Sequence, residues 1–242
     1  MRKATNKDNY TKVEILGQYN TKIEGTDKII SELAANVVYE ITDKTVFIEP
    51  SFGSGNFVKS FRKVYKNKIV AVEIDEEVFS EFVPIDNCQL INQNIYDFDL
   101  DKDFIEDCDR ILLVGNPPYR TPALSLKDRK PEIDRLKRLY SIDGVKEECI
   151  FFIVKTLDVI KNVNKEADVF YILPKTIFQN PTKAFKSFYT FLNNNLNIVS
   201  IKDIDKNNFE NVSQNLILVQ FTTTITNSKT FLYNDEEILL DD

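Results

Sequence analysis

The sequence predicts an α/β fold: a Rossmann-like, mostly parallel sheet with helices on both faces and an antiparallel hairpin at one edge. Three observations carry that expectation. Short continuous apolar runs such as Val46-Phe47-Ile48 and Ile111-Leu112-Leu113-Val114 recur along the chain, and strands buried on both faces read in this way. Segments of helical period separate most of these runs. Turn residues follow the strands at two places, Gly53 and Gly55 after the first and Pro117 and Pro118 after the fourth.

In chain order, residues 26–39 place Ile29, Ile30, Leu33, Val37 and Val38 on one helical face, with Thr26 or Asp27 as the cap. Residues 45–48 form the first strand, the turn Glu49-Pro50-Ser51-Phe52-Gly53-Ser54-Gly55 follows, and a helix starts at Asn56. Residues 69–72 form the second strand, ending at Glu73-Ile74-Asp75 with a helix after it. Residues 88–91 are the third strand and 110–114 the fourth, which runs into Gly115-Asn116-Pro117-Pro118-Tyr119. Residues 120–145 lose periodicity, carry many charges and read as an insertion or lid. A helix spans 145–163, a fifth strand 167–173, a helix 182–192 and a sixth strand 198–201. No helix separates 216–224 from 229–233, so these two are expected to pair as the closing hairpin.

A chain of 242 residues, 43% hydrophobic, suits a single domain, 1–242, with 120–145 as a substrate-contacting insertion. Neither a bilayer-spanning apolar run nor a signal-peptide pattern is present, so a cytoplasmic protein without a membrane partner is expected. Histidine is absent, which excludes Ser-His-Asp and Cys-His catalysis and a histidine general base. Cys88, Cys108 and Cys149 have no zinc spacing and read as buried free thiols. The net charge of −7 counts against a nucleic-acid partner unless a basic stripe is local. Such a stripe exists: between Arg120 and Arg138 seven cations stand against three anions, a balance of +4.

Four motifs carry chemistry. Gly53 and Gly55 let the backbone pass close to a ligand beyond the carboxyl ends of the strands, where nucleotide-like groups bind; the spacing is GxG, short of the full GxGxxG. Glu73, ending the next strand, can take both hydroxyls of a ribose, whereas Asp75 suits a helix N-terminus. The side-chain oxygen of Asn94, with the N–H after it, can read an adenine edge. In Asn116-Pro117-Pro118-Tyr119 the Asn oxygen and a neighbouring carbonyl can accept both hydrogens of an NH₂ group. The delocalised lone pair of an amide or aromatic amine is thereby steered toward its nucleophilic, pyramidal form. Tyr119 can stack on a planar substrate.

On these residues the chain resembles the class I S-adenosylmethionine-dependent methyltransferases, and within them the amino-methylating DNA adenine methyltransferases whose cofactor motif precedes NPPY. Leu16-Gly17-Gln18-Tyr19-Asn20-Thr21 is similar to the stretch contacting the methionine part of the cofactor. Ile48-Glu49-Pro50-Ser51-Phe52-Gly53-Ser54-Gly55-Asn56-Phe57 is similar to the cofactor loop, and Val72-Glu73-Ile74-Asp75 to the ribose segment. The resemblance implies S-adenosylmethionine as cofactor, bound by Gln18, Tyr19, Thr21, Glu49, Pro50, Gly53, Gly55, Glu73, Ile74, Asn94, Ile95 and Asn116. Asn94 stands where the family usually has Asp. The implied activity is methyl transfer to the N6 amino group of a flipped-out adenine in double-stranded DNA. Asn116, Pro117, Pro118 and Tyr119 form the catalytic motif there. Phe209-Glu210-Asn211-Val212-Ser213 resembles the family's late loop whose aromatic residue packs on the base, so Tyr119 and Phe209 are implied to sandwich it. Arg120, Lys127, Arg129 and Lys130 contact substrate phosphates. A specificity subunit or cognate restriction endonuclease is the implied protein partner. A ribosomal RNA adenine methyltransferase, a protein glutamine methyltransferase and a non-catalytic interaction subunit are the alternatives.

Overall fold

The computed structural model describes residues 21–37, 39–119, 129–179, 182–209, 215–224 and 230–239. Its described strands make one sheet in the order β3-β2-β1-β4-β5-β7-β6-β8-β9. These are β1 (Thr45–Glu49), β2 (Ile69–Glu73), β3 (Cys88–Asn92), β4 (Arg110–Gly115), β5 (Glu166–Pro174), β6 (Asn197–Ile204), β7 (Leu216–Thr222), β8 (Thr230–Tyr233) and β9 (Glu236–Leu239). β3, β2, β1, β4 and β5 run parallel to one another, so their carboxyl ends lie along one edge of the molecule. The helices are α1 (Ile23–Asn36), α2 (Asn56–Val64), α3 (Glu76–Ser80), α4 (Lys130–Tyr140), α5 (Glu148–Asn162) and α6 (Lys183–Asn195). Two apolar clusters, one on each face of the sheet, follow from the alternation along the strands. In β1, Val46 and Ile48 enter one cluster and Phe47 the other, where its ring stacks on Phe61 of α2.

The closing strands differ from expectation. β7 does not pair with β8. It inserts antiparallel between β5 and β6, and β8 adds parallel to β6 on its far side. The edge hairpin is instead β8 with β9, turning at Asn234 and Asp235, both at positive φ. β9 was missed because all four of its residues are exposed and none marks a core face.

The charged segment also differs. Residues 130–140 form α4, with Pro131 in its first turn. Only Ile133 and Leu136 are buried there, too few for the apolar stripe that announces a helix. Charge pinning completes the docking onto α5. Arg135 pairs with Glu132 and with the buried Asp158, and the Tyr140 hydroxyl donates to Asp158 over 2.8 Å. Lys155, buried in α5, lies 3.3 Å from Glu132. α5 itself is buried from Glu148 through Ile160, so its charged residues require these partners.

The turn after β1 is a position where only glycine fits. Gly55 has φ +69°, and a Cβ there would lie 2.3 Å from Cζ of Phe52. Gly144 has a similar φ of +75° but only a 3.3 Å approach to Ala184. Gly55→Ala is therefore expected to cost about 1–3 kcal/mol more in denaturation experiments than Gly144→Ala, which carries the backbone penalty without the clash.

Candidate functional site

The carboxyl ends of β1, β2, β3 and β4 surround a cavity open to solvent, at the edge of the sheet where open α/β folds bind ligands. The glycine turn forms one wall. Phe52 N–H bonds Val72 O at 2.9 Å and Gly55 N–H bonds Phe52 O at 2.8 Å. Gly53 and Gly55 both take positive φ. Glu73 braces this turn: its Oε2 accepts from Gly53 N–H and its Oε1 from Asp75 N–H, each at 2.7 Å. Asp75 serves as the cap of α3, accepting from Glu77 N–H at 3.1 Å. A carboxylate offers about four lone-pair positions; the N–H groups of Gly53, Asp75 and Ile74 draw on these, and what remains can accept from a ligand hydroxyl.

Glu49 closes the floor. It is 1% exposed, and its Oε2 has no hydrogen-bond partner. Burial pushes its carboxyl well above the ordinary carboxylate range, and the nearby Glu73 adds to the effect. Glu73 is raised by burial as well, opposed by the N–H bonds from Asp75 and Gly53. For Glu49 the Val58 N–H partly offsets the rise, and a buried acid with one unpartnered oxygen in a cavity wall fits a ligand bearing positive charge.

On the β4 side, Asn116 and Pro118 line the cavity while Pro117 is buried behind them. The Asn116 side-chain amide donates to Thr21 Oγ1 at 3.3 Å, and the Asn116 main-chain carbonyl accepts from Ser51 Oγ at 3.2 Å. Asn56 donates to Thr21 O at 2.8 Å, and Thr21 bridges to Phe209. Thr21 thus ties together the glycine turn, the Asn-Pro-Pro-Tyr loop and the segment before β7. The Tyr119 hydroxyl sits between Asn116 Oδ1 and Ile172 O, and its single proton serves one of them at a time.

Ile74, Asn94 and Ile95 line the β2–β3 side of the cavity. Asn94 differs in detail: its oxygen is engaged, accepting from Tyr96 N–H at 3.2 Å. Two substrate expectations are corrected. Arg129 is not displayed on an outer stripe. It pairs with Glu148, lies 5.3 Å from the Tyr96 ring centre and lines the cavity, because a carboxylate as buried as Glu148 demands a cation. Lys130, which is exposed, pairs with Asp134 one turn on. Phe209 is 4% exposed and packed in the cluster holding Phe57 and Leu216. Gln18, Tyr19, Arg120, Lys127 and the loop from Glu210 to Ser213 lie outside the described residues. Ser51, Phe57, Gln93 and Phe152 line the cavity without having been singled out. Phe152 sits in a continuous apolar helix that reads as core, and nothing local marks it.

Comparisons with known proteins agree with this geometry. The family described as ribosomal RNA adenine dimethylase matches residues 17–126. The chain is 27% identical over 168 residues to the type II methyltransferase M.CvrRI of Paramecium bursaria Chlorella virus XZ-6E, covering 69% of this chain and 39% of that one. It is 27% identical over 183 residues to ribosomal RNA small subunit methyltransferase A of Staphylococcus haemolyticus, covering 68% and 60%. The chain thus spans less than two thirds of the length of these relatives. A solved class I S-adenosylmethionine-dependent methyltransferase of Listeria monocytogenes superposes with a TM-score of 0.58 at 14% identity, covering 86% of this chain and 62% of that one. The chain has the class I S-adenosylmethionine-dependent methyltransferase fold. The cofactor of that fold is S-adenosylmethionine, and the residues present suit it. Glu73 retains acceptor capacity for a ribose hydroxyl, the glycine turn leaves room for close approach, and the unpartnered Oε2 of Glu49 suits a cation.

A measurable consequence follows for pH. In the ligand-free methyltransferase fold Glu49 holds a proton above the ordinary carboxylate range, and a cationic ligand favours its ionised form. Cofactor binding is therefore expected to release a proton and to tighten with rising pH through that interval. Calorimetry in two buffers of different ionisation enthalpy reads this directly; equal enthalpies in both would sink it. With both acids raised, the folded chain holds more protons than the unfolded one there. Ligand-free stability accordingly falls as pH rises from the ordinary carboxylate range through the raised values.

Proposed function

We propose that the protein transfers a methyl group from S-adenosylmethionine to the N6 amino group of adenine in DNA. The carrying observation is Asn116 with Pro117, Pro118 and Tyr119 at the end of β4, beside a cavity suited to the cofactor, in a chain without histidine. The cofactor supplies an electrophilic methyl on a sulfonium, which leaves as a neutral thioether when nitrogen attacks. Asn116 Oδ1 and the Pro117 carbonyl accept the two amino hydrogens, localise the nitrogen lone pair and aim it at the cavity. The proton lost from nitrogen passes to solvent, so no strong base is required. Tyr119, expected from the sequence to stack on the substrate, instead packs its ring against both apolar clusters, with its hydroxyl on Asn116 Oδ1 and Ile172 O. Its part is to position the Asn116 side chain toward a base taken out of its stack. Stretches similar to those of DNA adenine methyltransferases, and the match to a type II methyltransferase, support DNA as substrate.

A second reading, adenine methylation in ribosomal RNA, is favoured by the match of residues 17–126 to the ribosomal RNA adenine dimethylase family and by the staphylococcal relative. Transfer of labelled methyl to duplex DNA, ribosomal RNA and a protein extract, followed by nucleoside analysis, separates the two. Label recovered as N6-methyladenine in DNA is the expected result; label in RNA alone transfers the assignment to the second reading, and label in protein alone overturns both.

A further inference from the structure

We propose that a second cavity, beside the one that suits the cofactor, binds a phosphate group. Its lining includes Arg129, Arg135, Arg138, Glu132, Tyr96 and Asp97. Arg129 borders both cavities, so the second opens next to the edge of the sheet that a substrate covers to reach Asn116. S-adenosylmethionine carries no phosphate, so the ligand is a second molecule. The inference rests on the proposed function only for the source of that phosphate. A nucleic-acid substrate brings phosphodiesters to this edge, and a free phosphorylated molecule offers the same chemistry.

Two observations carry the proposal. The first is the choice of residue. Of the 31 basic residues in the chain only seven are arginine, and three of those seven meet in this cavity. A guanidinium holds its donors in a planar fork that matches two oxygens of a phosphate, which an ammonium does not. The second is unspent donor capacity. Arg135 gives Nε and Nη2 to Glu132 at 2.7 and 2.8 Å, and Nη2 also to Asp158, while its Nη1 donates to no described residue. Arg138 lies three residues further along α4, on the same side of the helix, where two like charges repel. It is exposed and makes no hydrogen bond with a described residue. The carboxylates nearby are committed elsewhere: Glu148 to Arg129, Glu132 to Arg135 and Lys155. Asp97 forms no ion pair with the three arginines among the described residues. An anion seated here takes the fork of Arg138 and the open edge of Arg135, and it relieves their repulsion.

The test reads binding in the whole chain. Arg138→Gln removes the fork at an exposed position and leaves the pairs of Arg129 and Arg135 in place. Arg138→Lys keeps the charge alone. Lys28→Gln removes an equal charge from an exposed position of α1, on the other face of the sheet. Binding of duplex DNA is expected to weaken about tenfold in Arg138→Gln, and the slope of log K against log salt to shrink by about 0.9. Arg138→Lys keeps the slope and loses part of the affinity, while Lys28→Gln changes neither. S-adenosylhomocysteine binds all three variants within about threefold of the natural protein, since the cofactor makes no use of Arg138. Calorimetry with inorganic phosphate reads the other source. Phosphate binding that Arg138→Gln weakens about tenfold, with DNA binding unchanged, keeps the site and assigns it to a free phosphorylated ligand. Equal losses in Arg138→Gln and Lys28→Gln overturn the proposal, as does an Arg138→Gln protein that binds both probes as the natural one does. If the natural protein binds neither DNA nor ribosomal RNA, the proposed function fails, and the phosphate titration still decides this inference.

Discussion

Asn116→Ala is expected to lower methyl transfer by about 10²–10³-fold or more while the dissociation constant for S-adenosylmethionine stays within about threefold. The contrast comes from what the side chain touches. Glu49, Glu73 and the glycine turn are held by bonds that do not involve the Asn116 amide. The bond from Ser51 to this loop goes to the main-chain carbonyl, which alanine keeps. The substitution removes one acceptor from the pair that localises the amino nitrogen, together with the bond to Thr21 and the oxygen beside the Tyr119 hydroxyl. Single-turnover transfer with calorimetry on the same preparation separates the two effects. Cofactor affinity falling in step with the rate would make Asn116 a cofactor ligand and remove its catalytic assignment.

The parts of the fold that could be read in advance are those whose burial leaves a local signature. β1, β2 and β4 are covered on both faces, so their sequences are apolar without a break, and the turns after β1 and β4 announce themselves through glycine and proline. The order of the last strands carries no such mark. Whether β7 lies beside β8 or between β5 and β6 depends on pairings such as Tyr171 with Val219 and Ile201 with Val219, distant in sequence. α4 was hidden for a related reason. Its residues look like a solvated charged stretch, and the carboxylates that neutralise Arg129 and Arg135 sit on α5, at Glu148 and Asp158. A net charge counted along the chain therefore misjudged what the surface shows.

The site divides in the same way. Glu73, Asn94 and Asn116 could be found because each directly follows or ends a strand in a sheet whose carboxyl edge binds ligands. Their separate duties could not, since these depend on contacts across the sheet. Glu73 braces a turn 20 residues earlier, Asn94 has its oxygen committed to a cap, and Thr21 joins Asn56, Asn116 and Phe209.

The brace at Glu73 gives a prediction in which folding and binding fail together. In Glu73→Gln one oxygen becomes an NH₂ group facing the N–H of Gly53 or Asp75, which now sits 2.7 Å from a carboxylate oxygen. Two donors cannot pair, and leaving a buried N–H unsatisfied costs about 1–3 kcal/mol. For a chain of this size each kcal/mol lowers Tm by about 2–4 °C. The same change removes a charge-assisted acceptor for the ribose hydroxyls, worth about 1.5–3 kcal/mol, so cofactor affinity is expected to fall about 10–100-fold. Glu49→Gln should behave differently although its carboxyl is equally buried. Burial raises its carboxyl well above the ordinary carboxylate range, so over the pH interval between the ordinary and the raised value an amide replaces a neutral acid. In that interval Tm is then unchanged or raised, and the pH dependence of cofactor binding shrinks to what Glu73 contributes. Thermal melts and cofactor titrations of the two variants across pH distinguish them. A Glu73→Gln protein with unaltered Tm would mean that the carboxylate serves the ligand alone and that the glycine turn holds its shape without it.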